Sequence, residues 1–180
     1  MNLKELLKQQ EEKAKAAGVE EQVVQEKVAK YKSMVNEFYQ SVLNDWLKEL
    51  NDDGMLHPEY TDVIINEELT GEYQVKGLTI TMAQTKVQFR PIGTFLIGTP
   101  GRIDMYVNGN PEPEMFIIAG EKAKSPRIVT QEYVEGEQKP EEPKPIDYGA
   151  PVWKYVERTN RMRFVSIDAN VFQQIIMEKL

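Results

Sequence analysis

Residues 20–50 read EEQVVQEKVAKYKSMVNEFYQSVLNDWLKEL, and this stretch decides the fold of the chain. Its apolar residues recur at alternating steps of four and three, which is the spacing of one face of an α-helix. A narrow seam of this kind suits one partner helix, whereas a wide apolar face suits burial against a sheet. The face widens from Met34 onward, so we expect residues 34–50 to dock on a sheet. The seam comprises Val24, Val28, Tyr31, Val35, Phe38 and Val42.

The chain before Met34 is the part that the pattern leaves free for a partner. Residues 2–17 are rich in Lys, Glu, Gln and Ala, which are good helix formers, and Gly18 then offers a stop or a hinge. Residues 1–33 are therefore predicted to form an extended helical hairpin or a coiled-coil-like contact with another subunit. We expect a protein partner or self-association through residues 1–33. Val24, Val28 and Tyr31 are the predicted interface residues.

After the turn at residues 51–54 and a loop around His57, the apolar residues alternate with polar ones. This period of two is typical of half-buried antiparallel strands. Residues 95–97 and 115–119 are instead continuous apolar runs, which predicts strands buried on both faces. The predicted strands are 78–82, 86–90, 95–97, 103–107, 115–119, 126–133, 152–157 and 161–167.

These elements predict an α+β protein. A long N-terminal amphipathic helix precedes an antiparallel sheet that is strongly curved or forms a partly open barrel, and a short helix capped by Asp168 closes the chain. Residues 1–50 form the helical region and residues 51–180 the β domain. Residues 135–147, EGEQKPEEPKPID, are acidic and proline-rich and are predicted to form an exposed loop.

The composition of the 180 residues excludes several classes of function. Without cysteine the chain has no disulfide, no thiol nucleophile and no thiolate metal site. A formal net charge of -7 argues against a large nucleic-acid footprint. The chain has no apolar signal core and no apolar run of about 18 residues, so we expect a cytoplasmic protein without a membrane segment. No residue set points to a cofactor or a metal ion.

Arg102 and Asp104 lie in the most distinctive stretch, GTFLIGTPGRIDM at residues 93–105. It lacks the Gly-Lys-Ser/Thr ending of a phosphate loop, so we expect two strands joined by a turn at residues 99–101. Arg102 and Asp104 would then share one face of a strand. Asp104 followed by Glu121-Lys122 loosely resembles the PD-(D/E)xK nuclease pattern. However, Ala119 stands where that pattern has a glutamate, and adjacent strand residues such as Glu121 and Lys122 face opposite sides.

A basic cluster near the C-terminus is the second candidate binding surface. It comprises Lys154, Arg158, Arg161 and Arg163, interleaved with Trp153, Tyr155 and Phe164. Basic and aromatic side chains on a hairpin bind phosphates and stack on bases. The alternative is a solvated hairpin face whose basic residues pair with nearby acids, with Trp153 and Tyr155 turned toward the core. Glu67 and Glu68 are interpreted as surface residues, and His57, the only histidine, as a loop residue.

The sequence thus favours a non-enzymatic interaction protein or accessory subunit that acts through its N-terminal helical region. One alternative is a nucleic-acid-binding or metal-dependent nuclease-like protein that uses Asp104, Glu121 and the hairpin with Arg161 and Arg163. The other is a β domain that binds a small ligand inside the curved sheet, with residues 135–147 as a lid.

Overall fold

A computed structural model describes residues 2–126, 147–159 and 161–180. Its seven strands form one antiparallel sheet in the order β1-β2-β3-β4-β5-β6-β7, so each strand pairs with its neighbour in the chain. Because β1 and β7 are both edges, the sheet is open and is not a barrel. The elements are α1 (Leu3–Ser41), a π-helical turn (Val42–Trp46), α2 (Lys48–Asp52), β1 (His57–Glu67), β2 (Gly71–Met82), β3 (Thr85–Gly93), β4 (Arg102–Val107), β5 (Glu114–Gly120), β6 (Pro151–Glu157), β7 (Arg163–Ser166) and α3 (Ala169–Met177). The predicted α+β fold class is confirmed.

Helix α1 is one continuous helix of 39 residues. A helix of this size, with a rise of about 1.5 Å per residue, is about 58 Å long. It begins with a capping box, in which the Asn2 side chain accepts from the Glu5 N–H and the Glu5 carboxylate accepts from the Asn2 N–H. The predicted stop at Gly18 is wrong, and with it the helical hairpin. A single internal glycine costs a helix only about 1 kcal/mol, and the residues on both sides of Gly18 favour the helix.

The π-helical turn keeps the apolar seam of α1 facing the sheet. Continued beyond Val42 at helical spacing, the seam would present Asp45 and Glu49. The turn contains one additional residue, and the Leu47 N–H donates to the carbonyl oxygen of Val42, five residues earlier. Trp46 and Leu50 therefore take the places of Asp45 and Glu49, and both pack against the core.

The core lies between one face of the sheet and two helices, α1 and α3. Phe38 of α1 is fully buried at its centre, with ring centroids 5.2 Å from both Phe116 and Trp153. Phe172 of α3 packs on the ring of Phe116 as well, with the ring centroids 6.0 Å apart. The buried part of α1 begins at Tyr31, slightly before the expected start of docking at Met34.

Strand β1 and the first half of β2 extend the sheet beyond what the pattern predicted. The loop expected around His57 is instead the start of an edge strand of 11 residues. Most of its residues are exposed, so they carry no alternation of apolar and polar positions, and Pro58 is tolerated because β1 is an edge. In β2, buried positions change from odd to even numbers at Gly77, where a Cβ atom would lie only 2.7 Å from the Thr61 hydroxyl.

Residues 95–97 do not form the buried strand that their apolar run predicted. They belong to the loop between β3 and β4, and Ile97 is fully exposed. Residues 115–119 do form a buried strand, β5, and the predicted C-terminal hairpin is observed as β6 and β7. Asp168 caps α3 by accepting from the Val171 N–H, as predicted. The strand expected at 126–133 and nearly all of the acidic loop lie outside the described residues.

Among the helices of the described ranges, none combines the length and the apolar character needed to cross a membrane.

Candidate interaction segment and the clusters at its base

Residues 3–28 of α1 extend past the sheet and are named here the free segment. Within residues 3–30 every side chain is exposed except those of Val24 and Val28, which are half-buried. Apolar side chains are among the exposed ones: Leu3 is 70% exposed, Leu7 54% and Val19 60%. With a rise of about 1.5 Å per residue, the free segment is about 39 Å long.

A line of residues at heptad spacing runs along the whole of α1. Its free part, named here the stripe, comprises Leu3, Leu7, Gln10, Ala14, Ala17, Glu21, Val24 and Val28. The same four-three spacing continues into Tyr31, Val35, Phe38 and Val42, which are all buried under the sheet. The predicted seam is therefore longer than the residues first assigned to it. Gln10 and Glu21 interrupt its apolar character, which hides its continuity across Gly18 in the sequence.

Tyr31 fixes the base of the free segment. Its hydroxyl donates to the carbonyl oxygen of Arg102 at 2.6 Å, and its ring packs on Gly101, where a Cβ atom would lie 2.7 Å away. Burial raises the pKa of the Tyr31 phenol above its ordinary range, and the nearby carboxylates of Glu67 and Asp104 act in the same direction. Tyr31 thus belongs to the core of its own chain, whereas Val24 and Val28 remain on the free segment.

Arg102 and Asp104 bind each other. They lie on one face of β4, and the guanidinium donates two hydrogen bonds to the carboxylate, at 2.7 and 2.9 Å. Asp104 is only 3% exposed. The predicted sharing of a face is observed, and the contact uses both oxygens of the carboxylate on which a nuclease-like function would depend.

Glu67 holds the loop between β3 and β4, a role that the interpretation as a surface residue missed. Its carboxylate accepts from the Phe95 N–H at 2.8 Å and from the Thr94 N–H at 3.1 Å. It also accepts from the Tyr73 hydroxyl at 2.6 Å. Burial, followed by this hydrogen bond, raises the pKa of the Tyr73 phenol. No local signal in the sequence identifies Glu67, because its loop partners lie far along the chain, beyond the whole β2–β3 hairpin.

Lys27 joins the free segment to the same loop. Its ammonium group lies 5.2 Å from the centroid of the Phe95 ring, within the range of a cation–π contact. Beside it is an apolar cleft of about 160 Å³, whose lining includes Tyr31, Met34 and Pro100. The free segment therefore meets the β domain at an apolar surface.

The basic residues of the C-terminal hairpin do not form one surface. Lys154 is buried, and its ammonium group donates to the carbonyl oxygens of Glu121 and Ala123, at 2.7 and 2.8 Å. Arg158 donates to the carbonyl oxygen of Pro113, and Arg163 pairs with Glu157. Arg161 is exposed.

Trp153 and Tyr155 of the same hairpin turn toward the core, as the alternative interpretation expected. The Trp153 indole N–H donates to the carbonyl oxygen of Met34 at 2.8 Å, and Tyr155 packs on Phe116. A neighbouring cleft of about 720 Å³ contains Glu112, Glu114 and Glu157 in its lining. These carboxylates oppose the approach of a phosphate.

The other candidate sites are a metal cluster, a ligand pocket on the sheet and the single histidine. In residues 2–126, 147–159 and 161–180, no group of three or more His, Asp and Glu side chains is placed to hold a metal ion. The face of the sheet on which a small ligand was expected is filled by the rings of Phe38 and Phe172. His57 is exposed on the edge strand β1.

Comparisons with protein-family models, with curated proteins and with solved structures each found no match for this chain.

Proposed function

We propose that this protein is a non-enzymatic interaction subunit that binds protein through the free segment of α1. The observation that carries the proposal is the length of that segment. The whole helix from Leu3 to Val28 lies beyond the buried part of α1, and its stripe carries the exposed side chains of Leu3 and Leu7 and the half-buried side chains of Val24 and Val28.

The energetics of an isolated helix support this proposal. Most helical stability in proteins comes from packing of an apolar face, because helix propensity alone is marginal in water. Full burial of one leucine or valine side chain contributes about 1.5–3 kcal/mol. Leu3 and Leu7 offer most of this contribution to a partner helix that covers the stripe, and the half-buried Val24 and Val28 offer part of it.

The polar clusters point in the same direction. Arg102 and Asp104 neutralise each other, Lys154 binds carbonyl oxygens of its own chain, and Glu67 holds a loop. Each of these side chains has a structural partner in the same chain. In the free segment, by contrast, Lys27 over the Phe95 ring is the one side chain with a described polar or cation–π contact to the β domain.

Photo-crosslinking in the native host tests the proposal. A benzophenone-bearing amino acid is placed at Leu7 or at Val24 on the stripe, and at Val19 as the control. Val19 is an exposed valine of the same helix on the opposite face. We expect a discrete protein adduct from Leu7 and Val24 and none from Val19. No adduct from either stripe position, or equal adducts from all three, would contradict the proposal.

A further inference from the structure

We propose that the partner is a second copy of this chain, paired antiparallel through the free segment, with Ala14 of one copy opposite Ala17 of the other. This inference rests on the proposed function and names the partner of the same surface. It follows from the order of side chains along the stripe, which matches its own reverse.

The core layers of this pairing join side chains of the same kind. Leu3 lies opposite Val28 of the second copy, and Leu7 opposite Val24. The two polar residues of the stripe, Gln10 and Glu21, meet each other, where the amide can donate to the carboxylate. The small residues Ala14 and Ala17 meet at the centre. By symmetry the pairing has eight layers, of which two join Gln10 to Glu21 and six are apolar.

The buried part of α1 fixes how far the pairing can extend. Leu3 of the second copy reaches Val28 and stops one layer before Tyr31, which is 1% exposed. If the register shifted by one heptad toward the sheet, Leu7 would have to contact Tyr31, which its own chain already covers. A shift in the other direction would place Leu3 opposite Glu21 and leave Val24 and Val28 unpaired.

The charges that flank the stripe favour the same register. Lys13 lies opposite Glu20 of the second copy, and symmetry repeats this ion pair. The other flanking positions in this register bring no like charges together. The shifted registers do: one places Lys13 opposite Lys13, and the other places Glu20 opposite Glu20.

A parallel pairing is disfavoured by both the core and the flanks. In register, it would bury Glu21 against Glu21 and Gln10 against Gln10. It would also place Lys27 beside Lys32 of the second copy. Like charges at these flanking positions of a coiled coil are destabilising, so the stripe specifies the antiparallel orientation.

The ends of the pairing meet the β domains. Leu3 of the second copy lies beside Val28, next to the apolar cleft that contains Tyr31, Met34 and Pro100 in its lining. The spacing of the stripe is slightly shorter than the period of a straight helix, so the two helices supercoil with a left hand to keep the stripes in contact. Each β domain then sits at one end of a two-helix rod.

Sedimentation equilibrium of the full chain tests self-association. We expect a reversible dimer, and Leu7→Lys should weaken it at least tenfold because it places a charge opposite Val24 in two layers. The control is Val19→Lys, which adds the same charge on the outer face and should leave the dissociation constant within twofold. A wild-type chain that stays monomeric at several hundred micromolar would overturn the inference.

Disulfide trapping tests the orientation, and the absence of cysteine from the chain makes it direct. A disulfide requires Cα atoms about 4.4–6.8 Å apart. An oxidised equimolar mixture of Ala14→Cys and Ala17→Cys should yield mainly the mixed dimer, while each variant alone should crosslink poorly. Efficient crosslinking of Ala14→Cys to itself would show a parallel pairing and refute the proposed register.

Charge reversal tests the register independently. Lys13→Glu and Glu20→Lys should each weaken the dimer severalfold, because each creates two like-charge contacts. The double variant should restore the wild-type dissociation constant. Failure of this rescue would contradict the register.

The two proposals fail in distinguishable ways. If the photo-crosslinked adduct from Leu7 has the mass of another protein and not of a second copy, self-pairing is wrong while the interaction function stands. If neither adducts nor dimers form, both are wrong.

Discussion

The carboxylate of Glu67 accepts a 2.8 Å hydrogen bond from the backbone N–H of Phe95, which follows the β2–β3 hairpin in the chain. Glu67 is the last residue of β1, and Phe95 lies in the loop that follows β3. The same carboxylate accepts from the Thr94 N–H and the Tyr73 hydroxyl. This cluster fastens the end of the β1–β2 hairpin to the loop against which the base of the free segment packs.

Loss of this carboxylate should destabilise the fold. Glu67→Ala leaves two backbone N–H groups and the Tyr73 hydroxyl without their acceptor, and hydrogen bonds to a charged group contribute about 1.5–3 kcal/mol each. Since water reaches part of the site in the variant, we expect the free energy of unfolding, measured with urea, to fall by about 2–3 kcal/mol. Glu68→Ala, at the exposed next position, is the matched control. Equal effects of the two substitutions would contradict the role of Glu67.

The Arg102–Asp104 pair should show strong coupling. Arg102→Met leaves the buried Asp104 carboxylate unpaired, and we expect the free energy of unfolding to fall by about 3 kcal/mol. Asp104→Asn removes the charge, so the double variant should be more stable than Arg102→Met alone. A double-mutant cycle in urea measures the coupling, which should exceed about 1 kcal/mol. Additive effects would show that the two side chains act separately.

Phe38 should be among the most sensitive positions of the core. Phe38→Ala removes a ring that contacts aromatic side chains on both α1 and the sheet. We therefore expect the free energy of unfolding, measured by heat or urea, to fall by about 3–5 kcal/mol. Ile97→Ala deletes a fully exposed side chain and should change stability by less than about 0.5 kcal/mol. Similar losses at the two positions would contradict the core described above.

Alkaline pH should unfold the protein through its buried tyrosines. Burial raises the pKa of both Tyr31 and Tyr39 in the folded state. The stabilising contribution of each phenol is complete below the unfolded pKa of about 10 and is lost as the pH rises toward the higher folded pKa. Between these values, stability should fall by about 1.4 kcal/mol per pH unit for each tyrosine.

Urea unfolding at pH 8, 9, 10 and 11 measures this slope. Tyr39→Phe removes one of the two phenols and should therefore flatten the decline above pH 10. It also removes the hydrogen bond of 2.7 Å to the carbonyl oxygen of Lys76. Loss of that bond should cost about 1 kcal/mol at neutral pH. An unchanged slope in the variant would show that Tyr39 does not contribute to the alkaline transition.

The spacing of apolar residues was sufficient to predict the parts of the fold that bury a patterned face. The docked half of α1, strands β3 to β7 and α3 all carry such a pattern. The π-helical turn is also encoded there, since Val42, Trp46 and Leu50 follow steps of four and four where the earlier alternation requires a step of three. This irregular step indicates a π-helical turn only when the face of α1 that docks on the sheet is known.

Other features depend on information that spacing does not contain. Strand β1 is exposed on most of its length, so its formation depends on backbone pairing with β2 rather than on an apolar face. Ile97 lies in an apolar run yet is exposed, because the loop path is set by the contacts of Glu67 with Thr94 and Phe95. Arg102 was predicted to share a face with Asp104, but only the geometry showed that the two bind each other.

The sequential order of the strands has a consequence for biosynthesis. Each of the first four strand pairs, from β1–β2 to β4–β5, can close as soon as its second strand leaves the ribosome, whereas β5 waits for β6, whose Pro151 pairs with Gly120. Helix α1 is synthesised before the sheet, and the aromatic rings of the sheet that contact Phe38 follow much later, the last of them at Trp153. The nascent chain therefore carries an uncovered apolar helix through most of its own translation, and docking of α1 is the late step that completes the core.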